Sequence, residues 1–162
     1  GTYTRDKDAV VASLLIAEAA AFYRSKGQSL LDALKTLYQK YGAYQEGLQS
    51  VTMEGMEGLA KIKEITRNLR ETSPTEINGV SVVAKEDYLE SVRIDQNGTS
   101  QIDLPKSDVL RFELEDGSSF VVRPSGTEPK IKLYFAVIGK EEEEATEKLN
   151  KFQTNVVNTV LK

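Results

Sequence analysis

The sequence predicts an α+β domain in which two helices cover one face of an antiparallel sheet. Two observations carry this prediction. From about Ala43 onward the patterns follow one another as strand, helix, strand, hairpin, strand and helix, and consecutive strands favour antiparallel pairing. Residues 1–42, by contrast, contain two helical patterns and no strand. Residues 43–162 are numerous enough to form a hydrophobic core of their own.

The first helix is predicted from an apolar run. Residues 9–23 read AVVASLLIAEAAAFY, and Glu18 is the only charged residue among them. Asp6 and Asp8 precede the run as candidate N-caps, and Gly27 marks its end. A helix that is apolar on nearly every side is normally buried on most of them. No strand precedes it, so we expect it to pack in a layered α/β domain whose earlier sequence lies upstream; packing within the chain or in a dimer is the alternative.

The second helix is predicted from its cap and its spacing. Ser29 is a candidate N-cap, and Asp32 stands at the third helical position, which is a variant of the capping box. The apolar residues with helical spacing are Leu30, Leu31, Leu34, Leu37, Tyr38 and Tyr41. Gly42 ends the pattern, and the β-rich part of the chain follows it.

That part opens with a strand and a helix. Residues 44–53 are predicted as a strand, with Leu48, Val51 and Met53 as core positions. A helix is predicted over residues 54–70, ending before Ser73-Pro74. Its apolar side is formed by Leu59, Ile62, Ile65 and Leu69.

The middle of the chain has weaker patterns. Residues 79–85, GVSVVAK, read as a strand. Residues 86–107 are polar and irregular, with a turn at Asn97-Gly98 and one candidate for a short strand over residues 91–94.

A hairpin is the clearest local prediction. In residues 110–115, LRFELE, apolar and charged residues alternate, as expected for a strand with one solvated face. Asp116-Gly117 is a strong tight-turn signal, and residues 119–123 return as the second strand. Another strand is predicted over residues 131–138.

The last helix follows Gly139. Its apolar residues recur at helical spacing: Ala145, Leu149, Phe152, Val156 and Val160. Glu141 to Glu144 crowd its first turn, where negative charge complements the helix dipole on a solvated face.

Composition excludes several kinds of chemistry. The 162 residues include no His and no Cys. A Ser-His-Asp triad, a Cys nucleophile, a disulfide and a His- or Cys-ligated metal site are therefore impossible within them. The net charge of −4 argues against a general binder of nucleic acid or anionic membrane. No run approaches the 18 apolar residues or so that a transmembrane helix needs.

The segment that carries chemistry is RPSGTEPKIK, residues 123–132. Arg123 offers a planar fork that matches a phosphate or carboxylate edge. Ser125 and Thr127 supply hydroxyls, and Gly126, without a Cβ, lets a ligand approach the backbone. These ten residues contain three cations and only one carboxylate, Glu128. Strand alternation places Lys130 and Lys132 on one side of the strand. We therefore expect an anion site, although Lys130 is also compatible with a merely solvated role.

Another interpretation of this segment is a polar turn between strands, because Pro, Ser, Gly and Thr are common turn residues. Its spacing is not that of the phosphate loop of nucleotide hydrolases, and it leads into a strand rather than a helix.

The motif Arg123-Pro124-Ser125-Gly126-Thr127-Glu128-Pro129 resembles the phosphate-binding loop of the α-D-phosphohexomutases, the phosphoglucomutase/phosphomannomutase superfamily. Its surroundings agree, with a strand, a DG hairpin and a strand before it, and a strand and a helix after it. The opening RDKDAV followed by an apolar helix is similar to the end of that family's third domain. The resemblance covers essentially the whole chain, as the C-terminal part of a longer enzyme.

The resemblance implies a domain assignment. Members of the family have three α/β domains and a smaller fourth domain of α+β type related to the TATA-box-binding-protein fold. Residues 1–42 would be the helical end of the third domain, and residues 43–162 the phosphate-binding fourth domain.

The resemblance also implies an activity. The family interconverts the 1- and 6-phosphates of glucose or mannose through a bisphosphorylated sugar, so the whole enzyme would be an intramolecular phosphotransferase. Its phosphoserine, its Mg²⁺-binding Asp-rich loop and its sugar-binding loop belong to other domains, which are the expected partners of this chain. We therefore expect no catalytic residue and no metal site here, an inactive fragment, and Mg²⁺ bound outside it. Asp6 and Asp8 are better explained as helix caps than as metal ligands.

The residues that match the family's loop are Arg123, Ser125, Gly126 and Thr127, with Lys132 at a position where relatives often carry Arg or Lys. They are expected to hold the phosphate of a hexose phosphate that does not react. Such a loop does not distinguish glucose, mannose and amino-sugar phosphates.

Two other hypotheses compete. One is a stand-alone anion-binding module without catalysis. The other is a nucleic-acid binder suggested by the fold, which the acidic charge and the absence of a basic-aromatic stripe oppose. Neither a nucleic acid nor a membrane is expected as a partner, and the absence of Cys fits the cytoplasm.

Overall fold

The computed structural model describes residues 7–161. The chain divides into two compact units, Gly1–Gly42 and Ala43–Lys162. The helices are α1 (Ala9–Ser25), α2 (Leu30–Tyr41), α3 (Gly55–Glu71) and α4 (Glu142–Val160). The strands are β1 (Ala43–Thr52), β2 (Glu76–Ile77), β3 (Val80–Asp87), β4 (Val92–Asp95), β5 (Gly98–Gln101), β6 (Leu110–Leu114), β7 (Ser119–Pro124) and β8 (Lys130–Gly139).

The first unit contains α1 and α2, each with the cap that the sequence predicts. The Asp8 carboxylate accepts a hydrogen bond from the Val11 amide at 2.9 Å. Ser29 and Asp32 form a reciprocal capping box, because Asp32 N–H donates to Ser29 Oγ at 3.1 Å and Ser29 N–H donates to Asp32 Oδ2 at 2.8 Å. Asp6, the other candidate cap, lies outside the described residues.

The apolar side chains of α1 are exposed. Val10 is 81% exposed and Leu14 is 67% exposed, and α1 has no buried residue. The burial that its composition predicts is therefore not supplied by residues 7–161.

The second unit is built on an antiparallel sheet. Seven strands lie in the order β1-β8-β7-β6-β3-β4-β5, and β2 pairs with β3 outside this order. Every pairing is antiparallel, as the succession of strands predicts.

Both long helices of this unit pack on one face of the sheet. Alternate residues of β8 enter the core, and the residues between them are only partly buried. The core cluster combines strand residues with Ile62, Ile65 and Leu69 of α3 and Phe152, Val156 and Val160 of α4. At its centre the rings of Phe112 and Phe120 stack with their centroids 4.8 Å apart. The predicted α+β fold is confirmed. We call the face of the sheet that points away from α3 and α4 the open face.

For two residues the predicted burial is wrong. Leu48 is 56% exposed, because strand alternation sends it to the open face while Gly47 and Val51 lie toward the helices. At Gly47 a Cβ would meet the Gln153 side chain of α4. Leu59 is 38% exposed, whereas Ile62, Ile65 and Leu69 of the same helix are buried.

The stretch predicted as irregular contains a second hairpin. β4 and β5 pair there around the turn that precedes Gly98. A third hairpin, between β2 and β3, turns at Asn78-Gly79, where φ is +51° and +79°. Both residues of that turn adopt the left-handed backbone that Asn-Gly favours.

Candidate anion-binding site

The candidate loop, residues 125–129, connects two adjacent interior strands of the sheet. Strand β7 lies between β6 and β8, and β8 lies between β7 and β1. Val122 and Ile131, close to its two ends, are fully buried. Both ends of the loop are therefore anchored in strands that are paired on both sides.

Hydrogen bonds hold the loop from inside and outside. Ser125 N–H donates to the Lys130 carbonyl at 2.8 Å, and Met53 N–H, just after β1, donates to the Pro129 carbonyl at 2.9 Å. Ser125 Oγ accepts from the amides of Glu128 at 3.2 Å and Thr127 at 3.4 Å. Ser125 therefore shapes the turn through its lone pairs, and its hydroxyl proton is left to donate to a ligand.

Gly126 faces open space. No atom lies within 4 Å of a Cβ built at this glycine. Protein packing does not require glycine here, and a ligand has free access to the backbone.

Arg123 and Lys132 stand directly opposite each other on β7 and β8. Like charges in that position destabilise a sheet. Neither side chain forms an ion pair with any residue from 7 to 161. Lys130 differs, because its Nζ lies 3.2 Å from the Glu128 carboxylate.

Elsewhere on the open face, opposite charges are paired. Glu86 of β3 stands between Arg93 of β4 and Arg111 of β6, with N–O distances of 2.6 and 3.3 Å. Glu113 accepts a hydrogen bond from Arg93 and forms an ion pair with Arg111, each at an N–O distance of 2.7 Å. The Arg123–Lys132 pair next to the loop, by contrast, has no acid among residues 7–161 that balances its charge in the way Glu86 and Glu113 balance Arg93 and Arg111.

The network lowers the pKa of Glu86. Burial disfavours the charged carboxylate, but hydrogen bonds from Tyr88 and Arg93 and the charge of Arg111 outweigh it, so the pKa lies below its ordinary value. A lowered folded-state pKa contributes stability that is complete above the ordinary value of 4.5 and is lost as the pH falls through the folded-state value.

The Glu86→Gln variant is expected to be less stable than the wild type at pH 7 by about 1 kcal/mol, because two arginines lose a charged acceptor. The difference should shrink at pH 3, below the ordinary carboxyl pKa of 4.5, because the unfolded-state carboxyl is then protonated and folding has to release that proton. Urea unfolding at both pH values measures it. Glu90→Gln, at an exposed acid, is the matched control and should change neither value; a constant difference for Glu86→Gln at both pH values would contradict the assignment.

The strand register brings one more residue to the candidate site, and no sequence motif indicates it. Ser50 of β1 stands opposite Lys132, is exposed, and makes no hydrogen bond through its hydroxyl to the described part of the chain. Ser50 is 73 positions before Arg123 in the sequence, so only the pairing of β1 with β8 reveals the proximity.

Two features bear on other classes of site. Within residues 7–161 no three acidic side chains lie close enough together to hold a metal ion. No helix in the same range is long and apolar enough to cross a membrane.

A comparison with protein families identifies the domain to which most of residues 43–162 belong. The family model of the phosphoglucomutase/phosphomannomutase C-terminal domain matches residues 54–152, which is more than half of the chain and includes the candidate loop. The chain belongs to this family. The resemblance stated from the loop motif is confirmed.

Individual phosphoglucomutases agree. The chain is 43% identical over 150 residues to a phosphoglucomutase of Staphylococcus aureus strain MRSA252 and 41% identical to that of strain MSSA476. In both cases the match covers 91% of this chain and 27% of the relative. The chain thus spans about a quarter of the length of these phosphoglucomutases.

A solved structure supports the fold. The crystal structure of parafusin, an exocytosis-sensitive phosphoprotein and phosphoglucomutase from Paramecium in an open form, matches with a TM-score of 0.65. The match covers 99% of this chain and 28% of parafusin at 17% identity. It therefore bears on architecture alone.

Proposed function

We propose that this chain is the phosphate-binding C-terminal part of a phosphosugar mutase. In this proposal, Arg123, Ser125, Gly126, Thr127 and Lys132 hold the phosphate of a hexose phosphate that is not being transferred. The observation that carries this proposal is that Arg123 and Lys132, opposed beside the loop, form no ion pair with any residue from 7 to 161. A phosphate ligand neutralises two like charges for which residues 7–161 supply no counterion.

Each loop residue has a task in this proposal. The Arg123 guanidinium forms paired hydrogen bonds to phosphate oxygens, and Lys132 contributes a point charge from the next strand. The hydroxyls of Ser125 and Thr127 donate, and Gly126 lets the phosphate reach the backbone. Every one of these contacts is made to phosphate, which suits a site that has to accept either phosphate of a bisphosphorylated sugar.

The contribution to catalysis is positioning. Fixing one phosphate directs the opposite end of the sugar toward the group that exchanges a phosphoryl, and phosphoryl transfer depends heavily on such alignment. The phosphoserine, the Mg²⁺ site and the sugar-binding loop are assigned to the remaining domains of the enzyme. Residues 43–162 are then the fourth domain and residues 1–42 the end of the third, and a cytoplasmic location belongs to the same proposal.

A titration tests phosphate binding. Adding glucose 1-phosphate or inorganic phosphate to the isotope-labelled chain should shift the amide resonances of residues 125–128 in a saturable way. The amide of Gly98, in the distant β4–β5 turn, should not move. Saturable shifts located elsewhere, or no shifts at all, would overturn the proposal.

A further inference from the structure

We propose that the site extends from the loop onto strand β1, where Ser50 completes a three-strand row that selects doubly charged phosphate monoesters. The row consists of Ser50, Lys132 and Arg123 on β1, β8 and β7, and we call it the cation row. This inference rests on the proposed function and adds Ser50 and the charge of the ligand to it.

The cation row has no acid on either side. On β1, which is the edge strand, the row ends in the uncharged Ser50. On the other side β6 begins at Leu110, which pairs with Val122, one position short of the row. Arg123 and Lys132 therefore keep two positive charges for a ligand.

The surrounding charged groups are occupied or remote. In the loop, Glu128 is paired with Lys130. In the next row of the open face, Arg111 is paired with Glu86 and Glu113. On β1, Glu46 lies four residues from Ser50 and opposite Ala136. None of these groups neutralises the cation row.

Two adjacent cations favour a ligand with two negative charges. A phosphate monoester dianion neutralises both, whereas a phosphodiester or a singly protonated monoester leaves one positive charge unmatched. Chain geometry places the side chains of directly opposed residues about 5 Å apart at Cβ. A tetrahedral anion can therefore contact neighbouring strands at once.

Ser50 suits the end of this row because it is polar and uncharged. Its hydroxyl is exposed and can donate to an anion beside Lys132 without competing for the cation. An acidic residue in the same place would do the opposite, since its carboxylate would occupy Lys132 and repel the ligand.

Because of the amino-acid composition, the pH dependence of binding reports the charge of the ligand. The chain has no His and no Cys, Asp and Glu ordinarily titrate near 4, and Lys and Tyr near 10. Between pH 5 and 7.5 the group at the site that changes charge is the phosphate itself, whose second pKa is about 6. The affinity for methyl phosphate should therefore fall about tenfold from pH 7.5 to pH 5, while that for sulfate, which keeps both charges, should stay constant.

The Ser50→Asp variant tests the added residue. It should bind methyl phosphate at least about tenfold more weakly than the wild type, because one cation is neutralised and an anion faces the ligand. The matched control is Ser100→Asp, which places the same substitution opposite Arg93, a cation already paired. Relative to that control, Ser50→Asp should raise the Tm by about 1–3 °C, because it relieves like-charge repulsion.

A second variant covers the case in which Ser50→Asp does not fold. Ser50→Ala removes one donor and should weaken methyl phosphate binding by about two- to tenfold. Wild-type affinity in either folded Ser50 variant, equal binding of dimethyl phosphate and methyl phosphate, or an affinity for methyl phosphate that ignores pH would each overturn this inference, with the proposed function intact. Failure of the wild type to bind methyl phosphate or sulfate would overturn the proposed function as well.

Discussion

Replacing Arg123 by alanine is expected to weaken phosphate binding by about 10- to 100-fold, the effect of losing hydrogen bonds from a charged group. The fold should be unaffected, because Arg123 is exposed and has no ion-pair partner among residues 7–161. Titration with inorganic phosphate measures the first effect and thermal unfolding the second. In the complete enzyme the same change should raise KM and lower kcat/KM strongly.

The control for this variant is Arg67→Ala on α3, which removes an exposed arginine from the opposite side of the sheet and should bind phosphate normally. Arg123→Lys should fall between alanine and the wild type, because it keeps the charge and loses the planar fork. Phosphate binding by Arg123→Ala at wild-type affinity would remove Arg123 from the site. A large loss of Tm would instead assign it a structural role.

Replacing Phe120 by alanine is expected to destabilise the second unit by about 3–5 kcal/mol. The side chain is fully buried, stacks on Phe112 and meets the Phe152 ring edge-on, with the two ring centroids 6.2 Å apart. Truncation therefore leaves a cavity beside Phe112 of β6 and Phe152 of α4. Urea unfolding followed by circular dichroism measures the loss.

Tyr44→Ala is the matched control for this variant. Tyr44 is an aromatic residue of the same sheet, but it lies on the open face and is 54% exposed. Its truncation should cost well under 1 kcal/mol. Equal losses for the two variants would mean that the core does not lie on the helix side of the sheet.

The sequence predicts those parts of the fold that are encoded locally. The hairpin of β6 and β7 follows from alternation and from Asp116-Gly117, and α4 follows from apolar residues at helical spacing. The β2–β3 hairpin carries an equally local signal, Asn78-Gly79, but β2 has only two residues and no alternation to reveal it. The prediction that Leu48 and Val51 are both core positions is wrong for Leu48, because residues three apart in a strand lie on opposite faces.

The candidate site, too, is predicted from the sequence only where its features are local. The loop residues are contiguous, so their chemistry is visible in the sequence from Arg123 to Lys132. The register of β7 and β8 places Arg123 opposite Lys132, and no local sequence pattern shows that neither has a counterion among residues 7–161. The position of Ser50 depends on a pairing between strands far apart in the sequence, which no local pattern specifies.

The anchoring of the loop has a consequence for the speed of ligand capture. With Ser125 bonded to Lys130, Pro129 bonded to Met53, and both ends in interior strands, the loop is held to the sheet rather than free to move as an independent flap. Under the proposed function, a tightening grip on a sugar phosphate would then require the sheet to move together with the loop. Such collective motions take microseconds to milliseconds, whereas free loops move in nanoseconds to microseconds. The opening and closing rate of the enzyme would then be a property of the unit's connections rather than of the residues that touch phosphate.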